Sequence, residues 1–274
     1  FHEDITGKEI TSKLLAQIKT RKNIQIMEYT TMTDILISKG ACAGIEAETS
    51  DHKKIYIHAD QTIFASGGIG GRYKHSTNFP HLTGDAIDIA KKHGIRLEHL
   101  DYVQIHPTTL YSKKPGRRFL ISESVRGEGA LLYDKNGNRF VDELLPRDVV
   151  TKAIQEQMKK DGTDHVWLSL EKIPKEIILS HFPNIYQHCL EEGYDATKEW
   201  IPVVPAQHYF MGGIWVDSDS HTSMPNLYAV GETSCNGVHG KNRLASNSLL
   251  ESLVFAKRAA RKIMSEKQMN KATA

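Results

Sequence analysis

Apolar and polar positions alternate along the first third of the chain in the way that short strands do. A stretch with helical spacing at residues 6–20 comes first, and short alternating or apolar runs follow it. The runs cover residues 24–28, 33–38, 43–48, 54–58 and 61–65. The last run is apolar and ends at a glycine-rich turn. The pattern therefore predicts a hairpin arm that leads into a buried strand.

Helical spacing returns further along the chain. The helical segments are residues 86–93, 147–160 and 172–192, and a last helix that begins at Asn247 or Ser248. Apolar runs at 214–216 and 227–230 predict two more buried strands before that last helix. In that helix, the face predicted to pack on the core carries Leu249, Leu250, Leu253, Val254 and Ala260, and Ser248 and Glu251 have the spacing of a capping box. Strands and helices thus mix along the whole chain, which predicts an α/β (α+β mixed) fold.

The pattern of predicted elements changes between residues 106 and 203. An Asn-Gly turn at 136–137 and two helical segments lie there, and Pro202 and Pro205 mark the exit. We predict an inserted domain at 106–203 within a discontinuous first domain made of 1–105 and 204–274.

Composition narrows the class of protein. The chain has 274 residues, 39% of them hydrophobic, and a formal net charge of +2. Global disorder is therefore unexpected, and nothing indicates nucleic acid or a membrane as partner. Three widely spaced cysteines indicate a reducing cytoplasm, and no ligand motif predicts a metal. The Phe1–Asp4 start is neither a signal peptide nor an initiator methionine, so we expect residues upstream.

The glycine-rich turn at Ser66–Gly71 resembles a dinucleotide fingerprint, but its spacing differs. Counting from Gly68, the sixth position is Tyr73 instead of glycine or alanine, and no amphipathic helix follows. The glycines indicate close approach of the backbone to a flat ligand or to another chain segment. A flexible surface loop fits the spacing equally well.

Histidines and arginines near turns are the candidates for chemistry. His106 and His208 lie at the two crossovers of the inserted domain, where a ligand cleft is expected. Arg147 begins a helix, where its charge opposes the helix dipole, and Arg243 precedes the last helix. Two arginines and two histidines could bind a dicarboxylate. Each residue alone is more often structural.

Five motifs in order along the chain carry a family resemblance. They are His106-Pro107-Thr108, Glu123-Ser124-Val125-Arg126-Gly127-Glu128-Gly129-Ala130, Pro146-Arg147-Asp148, His208-Tyr209 with Gly212-Gly213, and Gly231-Glu232-Thr233 followed by residues 239–243 and 246–251. Over nearly its whole length the chain resembles the flavoprotein family of fumarate reductase, succinate dehydrogenase and L-aspartate oxidase. Pro-Arg-Asp and Ala-Ser-Asn-Ser-Leu-Leu-Glu look more like the aspartate oxidase branch.

The resemblance implies an activity and residue roles. It implies FAD-dependent oxidation of L-aspartate to iminoaspartate in NAD (quinolinate) biosynthesis, with hydride passing from the substrate Cα to flavin N5. Arg147 would be the catalytic arginine of a capping domain. His106, Ser122, His208 and Arg243 would bind the substrate carboxylates. The residues in contact with non-covalently bound FAD would be Asp85, Glu232, Ser248 and Leu249.

Two parts of the family pattern do not occur in this sequence. They are the N-terminal Gly-x-Gly-x-x-Gly unit and the C-terminal helical bundle. We therefore expect a partial FAD-binding domain of the Rossmann-like flavoprotein type with an inserted α+β capping domain, and a chain that by itself binds FAD weakly and is inactive. Quinolinate synthase is the implied functional partner.

Two alternatives stay open on the sequence. One is a fumarate reductase or succinate dehydrogenase flavoprotein subunit, which would act on fumarate or succinate with the same residues. The other is a non-catalytic binding or assembly module.

Overall fold

A computed structural model of the protein describes residues 6–272, so the Phe1–Asp4 start lies outside the described residues. The helices are α1 (Thr6–Lys19), α2 (Asp85–Lys92), α3 (Glu123–Gly127), α4 (Arg147–Asp161), α5 (Lys175–His181), α6 (Pro183–Glu191) and α7 (Asn247–Ala272). The strands are β1 (Thr30–Ser38), β2 (Ala41–Thr49), β3 (Lys54–His58), β4 (Thr62–Phe64), β5 (Leu97–Glu98), β6 (Val103–Leu110), β7 (Leu131–Tyr133), β8 (Val166–Ser169), β9 (Ile201–Phe210), β10 (Gly213–Trp215), β11 (Leu227–Ala229) and β12 (Ser234–Cys235).

The chain divides into two compact units. Unit 1 comprises the described residues up to Ile24 together with Tyr73–Pro80 and Ile105–His208. Unit 2 comprises Gln25–Arg72, His81–Gln104 and the chain from Tyr209 onward. The predicted domain of residues 106–203 lies within unit 1, which also takes in two earlier segments. Whether the units are the predicted FAD-binding and capping domains stays a prediction.

Unit 1 is built on a four-stranded sheet with the order β6-β9-β8-β7. Strand β8 pairs antiparallel with both β7 and β9. The core residues are apolar side chains of this sheet and of α4, α5 and α6, among them Leu132, Ile154, Leu168, Ile178, Ile185 and Ile201. The sheet holds the strands that carry His106 and His208.

The described part of unit 2 contains three smaller sheets and two α-helices. The hairpin strands β1, β2 and β3 form one antiparallel sheet, and β5, β10 and β12 form another. Strands β4 and β11 pair in parallel, with Ile63 opposite Tyr228. Helix α2 buries Ala86, Ile87, Ile89 and Ala90, which belong to the same core as Phe64 and Ile214.

Most elements predicted from the apolar pattern are present within a residue or two. The prediction for residues 24–28 is wrong, because they form no strand and pair with none in the described part of the chain. Ile24 and Ile26 are each 47% exposed there. Apolar alternation without a neighbouring strand therefore gave a false signal. The segment 172–192 forms two helices, because Phe182 adopts a non-helical backbone between them.

The last helix buries a different face from the one its leucines predicted. Ala259 is fully buried and packs with Ile263 against Tyr228 and Val230. Leu250, by contrast, is 62% exposed. The capping box predicted between Ser248 and Glu251 is also absent. The helix starts one residue before Ser248, and the Glu251 carboxylate accepts a hydrogen bond from Asn236 Nδ2 instead.

The glycine-rich turn approaches another chain segment closely. A Cβ on Gly68 would lie 2.5 Å from Glu232 Oε1, and Gly68, Ile69 and Gly70 are buried. The close-approach interpretation is confirmed at Gly68, and the alternative of a flexible surface loop is wrong.

Within residues 6–272, none of the helices combines the length and the apolar character that crossing a membrane demands.

Candidate active site

Two histidines of the predicted site meet in unit 1. The rings of His106 on β6 and His208 on β9 lie edge to face with centroids 5.3 Å apart. His106 is 1% exposed, and its Nδ1 lies 3.0 Å from the carbonyl oxygen of Thr108 and 3.2 Å from its nitrogen. The Thr77 hydroxyl lies 2.8 Å from His208 Nδ1. Both rings are therefore held at Nδ1.

The electrostatic surroundings keep His106 neutral. Burial lowers its pKa well below the ordinary value of 6.5, and the nearby positive charges of His208, Arg147 and Arg126 lower it further. The concentration of positive charge around a buried neutral imidazole favours an anion at this place.

Arg147 is the first residue of α4 and is buried to 8% exposure. Its Nε and Nη2 both donate to Glu123 Oε2, the former at 2.7 Å. A helix N-terminus favours negative charge, so the positive charge of an arginine there is unfavourable. The carboxylate of Glu123 supplies the compensating negative charge. Two donors on one carboxylate oxygen also restrict the orientation of the guanidinium.

Glu123 and Arg126 are residues of this cluster to which the sequence assigned no role. They lie three apart on α3, the spacing that places two side chains on one helix face. Arg126 is 2% exposed and donates from Nη1 to the Glu143 carbonyl, but its Nε and Nη2 have no hydrogen-bond partner among the described residues. Burial lowers the pKa of Arg126. The available signal was the position of Glu123 and Arg126 within the family motif of residues 123–130.

Ser122 stands directly before α3 and caps it. Its side chain accepts a hydrogen bond from the Ser124 nitrogen at 3.3 Å, and the two hydroxyls lie 2.7 Å apart. The structure thus gives Ser122 a capping role. Its predicted contact with a substrate carboxylate stays a prediction.

Arg243 belongs to unit 2, where it is buried to 5% exposure. Its guanidinium lies over the ring of Tyr209, 4.4 Å from the centroid, and Gln104 Nε2 donates to its backbone carbonyl at 2.7 Å. Burial raises the pKa of Tyr209, so the ring beneath the guanidinium stays uncharged. Stacking and the backbone contact fix the arginine while its charge is kept.

Glu232 of unit 2 lies in the chain segment that follows β11. Its Oε1 accepts a hydrogen bond from the Phe210 nitrogen at 2.8 Å. Burial raises the pKa of this carboxyl to about 7, although the Phe210 N–H and the charge of Arg243 act in the opposite direction. Near neutral pH the group can therefore both donate and accept a hydrogen bond, which suits a ligand that carries hydroxyls.

The other predicted cofactor residues stand at the beginnings of two helices in unit 2. Asp85 is the first residue of α2, is exposed, and accepts a hydrogen bond from the Thr83 hydroxyl at 2.6 Å. Ser248 and Leu249 lie half-buried in the first turn of α7, where backbone N–H groups are free of helical partners. Their contact with a cofactor stays a prediction.

The site residues thus form one cluster in each unit. Unit 1 brings together His106 and His208, with Arg147 close enough to lower the His106 pKa. Unit 2 brings Arg243 near Glu232. No group of three or more metal-ligating side chains with suitable geometry occurs among the residues described.

Comparison with known proteins gives the family. The model described as the FAD binding domain matches residues 2–249. The chain is 55% identical over 266 residues to L-aspartate oxidase of Clostridium perfringens and 52% identical to that of Clostridium acetobutylicum. These matches cover 97% and 95% of the chain but 60% of either relative. The chain therefore spans about three fifths of the length of these relatives.

A solved structure agrees with the sequence matches. A quinol-fumarate reductase with bound menaquinol molecules superimposes with a TM-score of 0.88 at 34% identity, over 96% of this chain and 49% of that one. The predicted mixed α/β flavoprotein fold is thereby confirmed. With nine tenths of its length matched by the family model, the chain belongs to the FAD binding domain family.

Proposed function

We propose that the protein oxidises L-aspartate to iminoaspartate with FAD as its cofactor. The identity to proteins named L-aspartate oxidase and the membership in the FAD binding domain family support this. The reaction removes a hydride from the substrate Cα and a proton from the amino nitrogen, which leaves a C=N bond. FAD, when bound, supplies the hydride acceptor.

The observation that carries the proposal is the buried, neutral His106 beside His208 in a cluster of arginine charges. In one tautomer His106 Nδ1 accepts from the Thr108 N–H, which leaves a proton on Nε2. That N–H can donate to a carboxylate oxygen. His208, with Nδ1 held by Thr77, can act in the same way. A dicarboxylate is the small substrate that best matches this set of donors.

The arginines bind and orient the substrate in this proposal. Arg243 offers a planar fork for two-point contact with one carboxylate, and its stacking on Tyr209 limits its rotation. Ser122 contributes a hydroxyl. Arg147 is the proposed catalytic residue, since Glu123 holds its guanidinium at a fixed orientation.

Unit 2 offers groups that fit part of a flavin. The close approach of Gly68 to Glu232 leaves no room for a side chain, and the Glu232 carboxyl can bond to hydroxyls such as those of a ribityl chain. The first turn of α7, with Ser248 and Leu249, provides backbone donors for a negatively charged ring. Asp85 at the start of α2 completes the proposed set. We expect this chain alone to bind FAD weakly, which a flavin-loading assay measures directly.

Arg147→Leu in the full-length protein tests the function. We expect turnover of L-aspartate to fall by about a thousandfold or more, since the arginine is proposed to act in the reaction itself. Lys152→Leu, an exposed position on the same helix, is the matched control and should keep its activity. Unchanged turnover in Arg147→Leu would favour the non-catalytic alternative.

The second candidate is a fumarate reductase or succinate dehydrogenase flavoprotein, which the fumarate reductase superposition favours. Assays of the full-length protein with L-aspartate and with succinate separate the two. A kcat/KM for succinate above that for aspartate would replace the proposed function with the second one.

We place the enzyme in the cytoplasm with quinolinate synthase as its functional partner. Cys42, Cys189 and Cys235 are all buried free thiols, which is consistent with a reducing compartment. Co-purification of the two proteins from cells tests the partnership.

A further inference from the structure

Unit 1 contains a cavity of about 460 Å³ to which the proposed function assigns no role. Its polar wall is formed by Lys74, His75, Tyr111, Lys113, Arg118 and Asp164. The volume lies within the range of sites that bind small molecules, roughly 300–1,000 Å³.

The cavity is separate from the histidine cluster. Tyr111 follows the end of β6 at Leu110 and lies five residues beyond His106. At the rise of an extended strand this is a distance of roughly 16 Å between the two Cα atoms. On β9, Val204 and Pro205 line the cavity, and they precede His208 on the same strand. A ligand in the cavity is therefore not the substrate held by His106 and His208.

Arg118 is a buried cation in the cavity lining. It is 7% exposed, its Nε donates to His75 Nδ1 at 3.1 Å, and its Nη1 donates to the Lys114 carbonyl at 2.9 Å. Both acceptors are uncharged, because burial and the charge of Arg118 lower the pKa of His75. A buried guanidinium whose hydrogen bonds go to neutral groups is stabilised by an anion placed beside it.

The remaining charges leave the cavity positive. Lys74 and Lys113 line it together with Arg118, and Asp164 provides the opposing carboxylate. Asp164 also receives a weak hydrogen bond, 3.4 Å long, from the Tyr111 hydroxyl. Three cations and one carboxylate give a net positive charge at the wall.

Part of the cavity lining is apolar. Met158, Val204 and Pro205 contribute to it, and the ring of the lining residue Tyr111 stacks on His165 at 5.0 Å between centroids. A simple inorganic anion would leave this apolar surface unused. A molecule with one acidic group and one apolar or ring portion would match both kinds of lining.

We propose that this cavity is a second ligand site, which binds a small organic carboxylate with its acid group on Arg118 and its apolar part on Met158 and Val204. The site is independent of the proposed reaction.

Calorimetric titration of the full-length protein with benzoate tests the site, with benzamide and inorganic phosphate as matched probes. We expect saturable benzoate binding, and affinities at least about tenfold weaker for benzamide, which lacks the charge, and for phosphate, which lacks the ring. Equal binding of phosphate or benzamide would overturn the assignment of an organic carboxylate, and so would the absence of saturable benzoate binding.

Variants locate the binding. Arg118→Gln should weaken benzoate binding about tenfold or more, as expected for the loss of a charged hydrogen bond. Arg117→Gln removes the same charge at the next position, which is exposed and does not line the cavity, and should leave the affinity within about twofold. Arg118 is buried, so its substitution can impair folding. If Arg118→Gln does not fold, the double variant Lys74→Gln/Lys113→Gln, at two exposed positions, tests whether benzoate binds in the cavity.

Binding must also persist in Arg147→Leu, which alters the proposed active site alone. Loss of benzoate binding in Arg147→Leu, or unchanged binding in both cavity variants, refutes a second site. The assays with aspartate and succinate test the proposed function, and their outcome does not depend on the second ligand site.

Discussion

Glu123 accepts two hydrogen bonds from Arg147 through one carboxylate oxygen, and this pair connects α3 with the first turn of α4. The arginine is buried while the Glu123 side chain is 43% exposed, so the carboxylate can also be reached by solvent. The proposed catalytic arginine thus depends on a partner for both its orientation and its compensating charge.

Glu123→Gln tests that dependence. The amide keeps the shape but loses the charge, so the Arg147 guanidinium becomes less well fixed. We expect kcat for L-aspartate to fall by about ten- to a hundredfold, the effect of losing a charged hydrogen bond. Glu128→Gln, an exposed position just after α3, is the control and should behave like the unmodified protein. Equal effects of the two substitutions would contradict a specific role of Glu123.

Thr77→Val removes the hydroxyl that lies 2.8 Å from His208 Nδ1. The His208 ring can then rotate, and its donor to the substrate is less well placed. We expect KM for L-aspartate to rise about fivefold, which corresponds to about 1 kcal/mol, while kcat changes less. Thr20→Val, an exposed position after α1, serves as control. An unchanged KM would show that Thr77 does not position His208.

Gly68→Ala places a Cβ where Glu232 lies. The carboxylate must move, which disturbs its 2.8 Å hydrogen bond from the Phe210 nitrogen. We expect a loss of about 1–3 kcal/mol in the free energy of unfolding, measured by urea denaturation. The cost should shrink when Glu232→Ala is already present, as a double-mutant cycle would show. Gly7→Ala, where no atom lies within 4 Å of the added Cβ, should cause no loss.

Glu232→Gln tests the raised pKa of this carboxyl. A group with a pKa of about 7 in the folded protein and 4.5 ordinarily binds more protons when folded. Stability is therefore greatest below pH 4.5 and is lost as the pH rises towards 7, by about 3 kcal/mol in all. Glutamine stays neutral, so the free energy of unfolding of the variant relative to the original should increase between pH 5 and pH 8.

Urea denaturation at both pH values measures the effect, with Glu28→Gln at an exposed position as control. A constant difference between variant and original protein at pH 5 and pH 8 would falsify the raised pKa.

Apolar spacing and flanking turn residues were sufficient to locate several elements, even where their packing partners lie far away in the chain. The strand and helix of residues 62–64 and 85–92 follow directly from apolar spacing and flanking glycines. The prediction of a strand at residues 24–28 is wrong because a strand needs a partner strand, and apolar alternation does not reveal whether one exists. The prediction that Leu250 is buried is wrong for a similar reason, since its helix packs through the small residue Ala259 and not through its leucines.

The contacts of the site also divide into those that the sequence pattern predicts and those that it does not. Motif order identified His106 and His208, and the structure shows their rings together. The pairing of Glu123 with Arg147 joins residues 24 positions apart, so no helical spacing could reveal it. The contact of Gly68 with Glu232 spans an even longer stretch of chain. Such contacts depend on tertiary packing, which a single sequence does not encode in any local pattern.

The parallel pairing of β4 with β11 has a consequence for the order of folding. Phe64 and Leu227 share a core but lie more than 160 residues apart. All the chain that unit 1 needs ends at His208, before β11 is synthesised. During synthesis on a ribosome, unit 1 can therefore complete its core first, whereas β4, the strand of Phe64, has its partner only after β11 is synthesised. Unit 2, which contains β4 and needs the chain from Tyr209 onward, is therefore the unit whose folding is finished later.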